Sequence, residues 1–253
     1  MPSPTHPDSP WFVVNTPRPH ARLRLFCFHH AGGGASTYRT WGKDLPADIE
    51  VAAVQLPGRE SRFGQVLLNR MGPLTAQLAQ ALETWSEIPF AFFGHSMGAV
   101  VSYELTRRLR REGRQGPRLL MVSGRRAPHT SPIKGPMWNL PDAEFMARLR
   151  ELGGTPEEVL REPELMALLT RILRADFAVN DTWVYTPEPP LDLPVTALYA
   201  RSDEEVTGEQ MSAWCTLTTG PFEMITFPGG HFYLGDQRER ILSVVEESIK
   251  GVI

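Results

Sequence analysis

The residues Gly94-His95-Ser96-Met97-Gly98 put a hydroxyl between two glycines, directly after the apolar run Phe90-Ala91-Phe92-Phe93 and directly before a stretch with helical spacing. A serine hydroxyl is a poor nucleophile until it is held where a base can reach it. A sharp strand-to-helix turn does this by pushing Oγ out of the backbone envelope. Gly94 and Gly98 suit such a turn, where strand and helix run too close for side chains. The following helix aims its positive end and free N–H groups at the same point, which favours a developing oxyanion, with Met97 N–H as first donor. The chemistry implied is acyl transfer through Ser96.

Such a nucleophile needs an imidazole as base, and the imidazole needs a carboxylate to fix its tautomer and stabilise its charged form. Where the turn sits on an open α/β sheet, the acid and then the histidine follow the serine in the chain. Of the seven histidines, His129 and His231 follow Ser96. His129 precedes most candidate acids, whereas His231, in Phe227-Pro228-Gly229-Gly230-His231-Phe232, stands just past the last expected strand, where a loop can swing it over the serine. Asp203 is favoured as the acid, a few residues beyond the Val195 to Tyr199 run; Glu204 or Glu205 takes its place if the loop register differs.

A second oxyanion donor is expected from Phe28-His29-His30-Ala31-Gly32-Gly33-Gly34-Ala35-Ser36, whose glycines let backbone N–H groups approach a substrate oxygen. Ala31 N–H is the expected donor and Ser36 the expected cap of the next helix. Neighbouring residues on an extended chain point in opposite directions, and no carboxylate or cysteine set accompanies His29 and His30, so no metal is expected.

These residues need a frame. Arg22 to Phe28, Val51 to Val54, Phe90 to Phe93, Leu119 to Val122, Val195 to Tyr199 and Phe222 to Phe227 read as strands. Pro73 to Trp85, Met97 to Arg111, Gly208 to Leu217 and Gln237 to Lys250 read as helices. The alternation predicts an α/β fold with a mostly parallel sheet flanked by helices. From about 136 to 190 no strand pattern occurs, but helical spacing recurs at Asp142 to Leu152, Pro156 to Leu160 and Pro163 to Val179. This helical insertion falls beside the carboxyl edge of the sheet, the position of a lid. Residues 1–10, with four prolines, read as a flexible tail, and 11–253 as a single domain.

The 253 residues are 42% hydrophobic with a formal charge of −3, which lacks the basic excess of a nucleic-acid binder. No apolar run reaches the roughly 20 residues that span a bilayer, and the N-terminus has no signal-peptide pattern, so a cytoplasmic location is expected. Cys27 and Cys215 are too few for a disulfide framework and read as reduced, packed thiols. A monomer is the default.

Taken together, His30-Ala31-Gly32-Gly33, Gln55-Leu56-Pro57-Gly58-Arg59-Glu60, Gly94-His95-Ser96-Met97-Gly98-Ala99 and Gly230-His231-Phe232 resemble the type II thioesterases, stand-alone α/β-hydrolase enzymes of polyketide and nonribosomal peptide synthesis. The likeness runs from about residue 20 to 245, and the segment Leu140 to Pro156 resembles that family's lid. One departure is His29, where family members often carry proline. The resemblance implies hydrolysis of acyl groups from the phosphopantetheine arm of acyl or peptidyl carrier proteins, clearing stalled or aberrant units, with no cofactor of the enzyme's own. A general carboxylester hydrolase or a medium-chain fatty acyl carrier protein thioesterase would share every catalytic residue.

Two further expectations concern binding. Arg125 and Arg126, just past the Leu119 strand, are candidates for docking an acidic carrier, while Arg107, Arg108, Arg110, Arg111 and Arg114 read as a solvated helix end about 20 Å from the serine. Of Met137, Trp138, Phe145, Met146, Phe177 and Trp183, two or three are expected to touch substrate, and the others to pack helices.

Overall fold

The computed structural model describes residues 9–253, so the expected tail over 1–10 lies almost wholly outside the described residues. Seven strands, β1 (Phe12–Val13), β2 (Leu23–Phe28), β3 (Ile49–Val54), β4 (Phe90–His95), β5 (Leu120–Ser123), β6 (Val195–Ala200) and β7 (Phe222–Phe227), form one sheet in the order β1-β3-β2-β4-β5-β6-β7. All neighbouring pairs are parallel except β1 with β3. The helices are α1 (Trp41–Asp44), α2 (Met71–Leu82), α3 (Met97–Arg111), α4 (Asp142–Leu152), α5 (Glu157–Leu160), α6 (Pro163–Asp181), α7 (Gly208–Ser212) and α8 (Arg238–Lys250). This is the expected α/β-hydrolase arrangement. The two-residue β1 went unanticipated because it is too short to show a period, and Ala213–Leu217 continues α7 as a 3-10 turn.

β2, β3 and β4 are buried along their whole length, as strands covered on both faces must be. Their residues alternate between two cores. Phe26, Phe28, Phe90 and Phe92 pack with α2 and α3 on one side, while Leu25, Cys27, Ala91 and Phe93 pack with α8 on the other. A third, smaller cluster built on Met137, Phe145, Leu149, Met166 and Leu173 belongs to the helical insertion between β5 and β6.

Some local expectations change. Arg107 is not solvated: it is 2% exposed, paired with Glu104 at 2.8 Å and Glu188 at 2.7 Å, and its guanidinium lies over Tyr103 and Tyr185. The apolar stem and cation together serve as packing for α3 against the 185–188 segment. Cys215 is exposed rather than packed, whereas Cys27 is buried. Ser36 caps nothing; it lies within a 3-10 turn begun at Gly34, and its Oγ donates to Glu60 Oε1 at 2.5 Å.

Candidate active site

Strand register assembles the site. Phe28 pairs with Gly94, so the glycine-rich loop after β2 emerges beside the turn after β4. Ala200 pairs with Phe227, and beyond them Ser202 N–H donates to Gly229 O at 3.0 Å, which keeps the loops carrying Asp203 and His231 side by side.

At the turn itself Ser96 has φ 54 and ψ −116, a region that non-glycine residues enter only under strain. The strain is held by Ser96 N–H donating to Ser123 O at 2.8 Å on the neighbouring strand. The glycines explain themselves sterically: a methyl on Gly94 would strike the Gly98 carbonyl, and one on Gly98 would strike Phe28 O on β2. Gly98 is therefore small because of the adjacent strand, not because of its own turn.

His231 Nε2 lies 2.9 Å from Ser96 Oγ, and His231 Nδ1 lies 2.9 Å from Asp203 Oδ2. The other carboxylate oxygen of Asp203 accepts Glu205 N–H at 2.8 Å, so both oxygens are engaged and the carboxylate plane is fixed. Neither Glu204 nor Glu205 bonds His231; Glu204 is exposed, and Glu205 pairs with Lys134 at 2.6 Å. Ser96, Met97, Ala31 and His231 line one cavity of about 240 Å³. Neither Ala31 N–H nor Met97 N–H has a protein acceptor among the described residues, while the next amide, Gly32 N–H, donates to Asp176 Oδ2 at 2.8 Å.

Asp176 is a site residue that the motifs do not include. It sits on α6 at 1% exposure and forms a two-pronged ion pair with Arg59, at 2.5 and 2.7 Å, while Arg59 also donates to Gly33 O at 3.2 Å. The Leu56-Pro57-Gly58-Arg59 segment thus ties the insertion to the glycine-rich loop. A carboxylate on the stripe of α6 that also carries Leu173 was the available clue, since a lone acid on a buried face must have a partner. Gly32, at φ +81, lets α6 close on the loop, because a Cβ there would stand 2.6 Å from Leu173 Cδ2.

Two further imidazoles flank His231. Its ring lies 5.3 Å from that of His95, and Phe232 packs edge-on against both His30 and His231. His95 Nδ1 meets Ser123 Oγ at 2.9 Å, and Ser123 Oγ meets Tyr233 OH at 2.7 Å, a buried chain beneath the nucleophile. Burial holds His30 down to about 4, with repulsion from His231 adding to it, and His29 down to about 3, with Arg59 adding. His95 is lowered as well, mainly by burial.

These shifts predict an acid-sensitive fold. A histidine lowered in the folded state binds its proton in the unfolded chain first, so stability is complete above the ordinary value of 6.5 and declines as pH falls below it. Between pH 7.5 and 6.0, His29 and His30 should each remove about 0.8 kcal/mol, with His95 acting in the same direction. Urea melts across that range check it; a midpoint that does not move would contradict neutral burial of these rings.

Arg125 and Arg126, the candidates for carrier docking, line the cavity. Of the six large residues singled out in the insertion, Met137, Phe177 and Trp183 line the cavity. Phe145 and Met146 pack in the insertion's own core, and Trp138 lies against the Arg70 guanidinium.

Comparison with known proteins agrees with this geometry. The family model described as Thioesterase domain matches residues 23–249. The gramicidin S biosynthesis protein GrsT of Aneurinibacillus migulanus is 39% identical over 243 residues, covering 96% of this chain and 95% of that protein. The structure of the type II thioesterase BorB from the borrelidin biosynthetic cluster superposes with a TM-score of 0.84 at 38% identity, covering 94% of this chain and 96% of that one. YbtT, the type II thioesterase of the yersiniabactin NRPS/PKS pathway, follows at 0.82 and 32%, covering 93% and 96%. A match of that extent, on a sheet that carries a serine and an imidazole at its carboxyl edge, means that the chain belongs to the thioesterase family and is a type II thioesterase, a serine hydrolase of thioesters with the α/β-hydrolase fold.

Proposed function

We propose that the enzyme removes acyl groups from the phosphopantetheine arm of acyl or peptidyl carrier proteins, clearing stalled or aberrant units from a polyketide or nonribosomal peptide synthase. The observation that carries the chemistry is the line Asp203, His231, Ser96, with both links at 2.9 Å, beneath a cavity that two uncommitted backbone amides also face. The assembly-line role is supported by the relatives named for gramicidin S, borrelidin and yersiniabactin biosynthesis.

In this mechanism Ser96 Oγ bonds the thioester carbon as His231 Nε2 takes its proton, and Ala31 and Met97 N–H groups hold the oxyanion. The carbon–sulfur bond then breaks, and the thiolate leaves with the proton from His231. Water attacks the acyl-enzyme, giving a proton to the same nitrogen, and the acid departs as Ser96 recovers its hydrogen. Asp203 holds the imidazole in the tautomer that presents a bare Nε2. The pantetheine arrives as part of the substrate, so the enzyme needs no cofactor.

Among the described residues no helix is long and apolar enough to cross a membrane. We place the enzyme in the cytoplasm, beside the synthase, acting as a monomer. The test is acid release from acyl-phosphopantetheinyl carrier protein beside the matched acyl-coenzyme A and oxoester. A carrier substrate hydrolysed at least about tenfold more efficiently, which is about 1.4 kcal/mol of extra transition-state binding, is the expected result. Preference for the oxoester would move the activity to a general esterase.

A further inference from the structure

Ser123 ties the two sides of the reacting pair together. It ends β5, where it pairs with His95 on β4 and with Leu198 on β6, and the next amide, Gly124 N–H, donates to Leu198 O at 3.0 Å. Its carbonyl accepts the Ser96 N–H at 2.8 Å and so holds the strained turn of the nucleophile. Its hydroxyl meets His95 Nδ1 at 2.9 Å and Tyr233 OH at 2.7 Å. His95 directly precedes the nucleophile, and Tyr233 stands two residues beyond the base. All three side chains are buried. One hydroxyl in the middle of the sheet thus joins the turn that carries Ser96 to the loop that carries His231.

This junction reaches the base through ring contacts. Asp203 holds His231 by one hydrogen bond at Nδ1, which fixes a point of the ring and not its plane. The plane is set by the rings packed against it, His95 at 5.3 Å and Phe232 at 5.1 Å. Phe232 belongs to the same loop and moves with it. His95 belongs to β4, and the orientation of its ring is fixed by the bond from Nδ1 to Ser123 Oγ and by Tyr233 packed edge-on at 5.8 Å. Gly124 leaves room for both imidazoles at the strand end, since a Cβ there would stand 2.9 Å from His95 Cε1 and 3.5 Å from His231 Cε1. Burial keeps His95 neutral, so it bears against the imidazolium formed in catalysis without opposing its charge.

We propose that Ser123 is a positioning residue for catalysis, its hydroxyl setting the distance and the plane at which His231 Nε2 meets Ser96 Oγ. The inference rests on Ser96 and His231 being nucleophile and base. It is independent of the acyl group and of the carrier, because Ser123, His95 and Tyr233 do not line the cavity that holds the nucleophile. Reacting groups must be held to within about 0.5 Å, and a misplacement of about 1 Å costs up to about a hundredfold in rate. Substrate affinity depends on the cavity wall, which this hydroxyl does not reach, so its loss falls on kcat rather than on KM.

The experiment measures kcat and KM on a soluble acyl-pantetheine, with active sites counted at the end point of labelling by a fluorophosphonate, which modifies a nucleophilic serine. In Ser123→Ala, kcat per site should fall about tenfold to a hundredfold while KM stays within about twofold of wild type. Tyr233→Phe removes one oxygen and should lose roughly threefold to tenfold, because Ser123 still holds His95. The double variant should match Ser123→Ala, because Tyr233 OH has no other hydrogen-bond partner among the described residues. Ser123→Cys, which keeps a weak S–H donor, should lie between wild type and Ser123→Ala. Unchanged kcat per site in either single variant overturns the proposal, whatever fraction of sites is labelled, since fewer sites at full rate is the signature of a contact that only stabilises the fold. A loss confined to KM overturns it, as does a double variant whose loss is the product of the two single losses. Failure of the nucleophile assignment reads differently, as turnover of the same thioester retained in Ser96→Ala.

Discussion

With alanine at position 96, thioester turnover falls by about four to six orders of magnitude, the scale of loss when the nucleophile of a serine hydrolase is removed. Ser96 Oγ is the group that His231 Nε2 meets, at 2.9 Å, and the cavity lining supplies no second hydroxyl or thiol to take its place. Alanine keeps the Cβ and so accepts the φ of 54 on the same terms as serine, with the Ser123 O bond to the backbone N–H intact. The variant should therefore melt within about 0.5 kcal/mol of wild type, the usual range for a substitution that breaks no packing, so that loss of rate is loss of chemistry. Initial rates on a soluble acyl-pantetheine check the magnitude, and mass spectrometry of rapidly quenched wild type should show an acyl adduct that the variant lacks. His231→Ala should lose nearly as much, and the double variant scarcely more, because the two groups act as a unit. Wild-type-like turnover in purified Ser96→Ala would remove the nucleophile assignment.

What was legible in the sequence was what local chemistry dictates. Gly94-x-Ser96-x-Gly98 between an apolar run and a helix has few other ways to fold, and the glycines stand where a methyl would strike backbone. Asp203 was favoured over Glu204 and Glu205 by its place after a strand, and Asp203 is the carboxylate that meets His231. Pairings between distant segments were not legible. Arg59 and Asp176 are 117 residues apart, and no spacing rule connects a turn after β3 with the middle of α6. Arg107 read as solvated because its neighbours on the helix are charged, yet the 185–188 segment covers it. Arg125 and Arg126 read as a docking pair just past the Leu119 strand; both line the cavity, and Arg126 also donates to Thr130 O on its own loop, a contact that no spacing rule announces.

The Arg59–Asp176 pair gives the second large effect, on stability. Asp176→Ala leaves a guanidinium that is 4% exposed without its anion and strips Gly32 N–H of its acceptor. Breaking one side of a buried ion pair is destabilising by about 3–5 kcal/mol, a large share of the roughly 5–15 kcal/mol that holds a domain folded. A denaturant midpoint that drops with little change in slope is the expected signature. Removing both charges with Arg59→Met and Asp176→Leu should recover most of the loss, because the desolvation of the two ions disappears with them. Catalysis should not recover in step. Asp176 holds the amide next to Ala31, and the double variant leaves that loop without its anchor, so kcat should stay depressed while stability returns. Recovery of kcat together with stability would mean that the pair only fastens α6 to the sheet. A persistent deficit would mean that the insertion, through one carboxylate, also sets where the oxyanion donor stands.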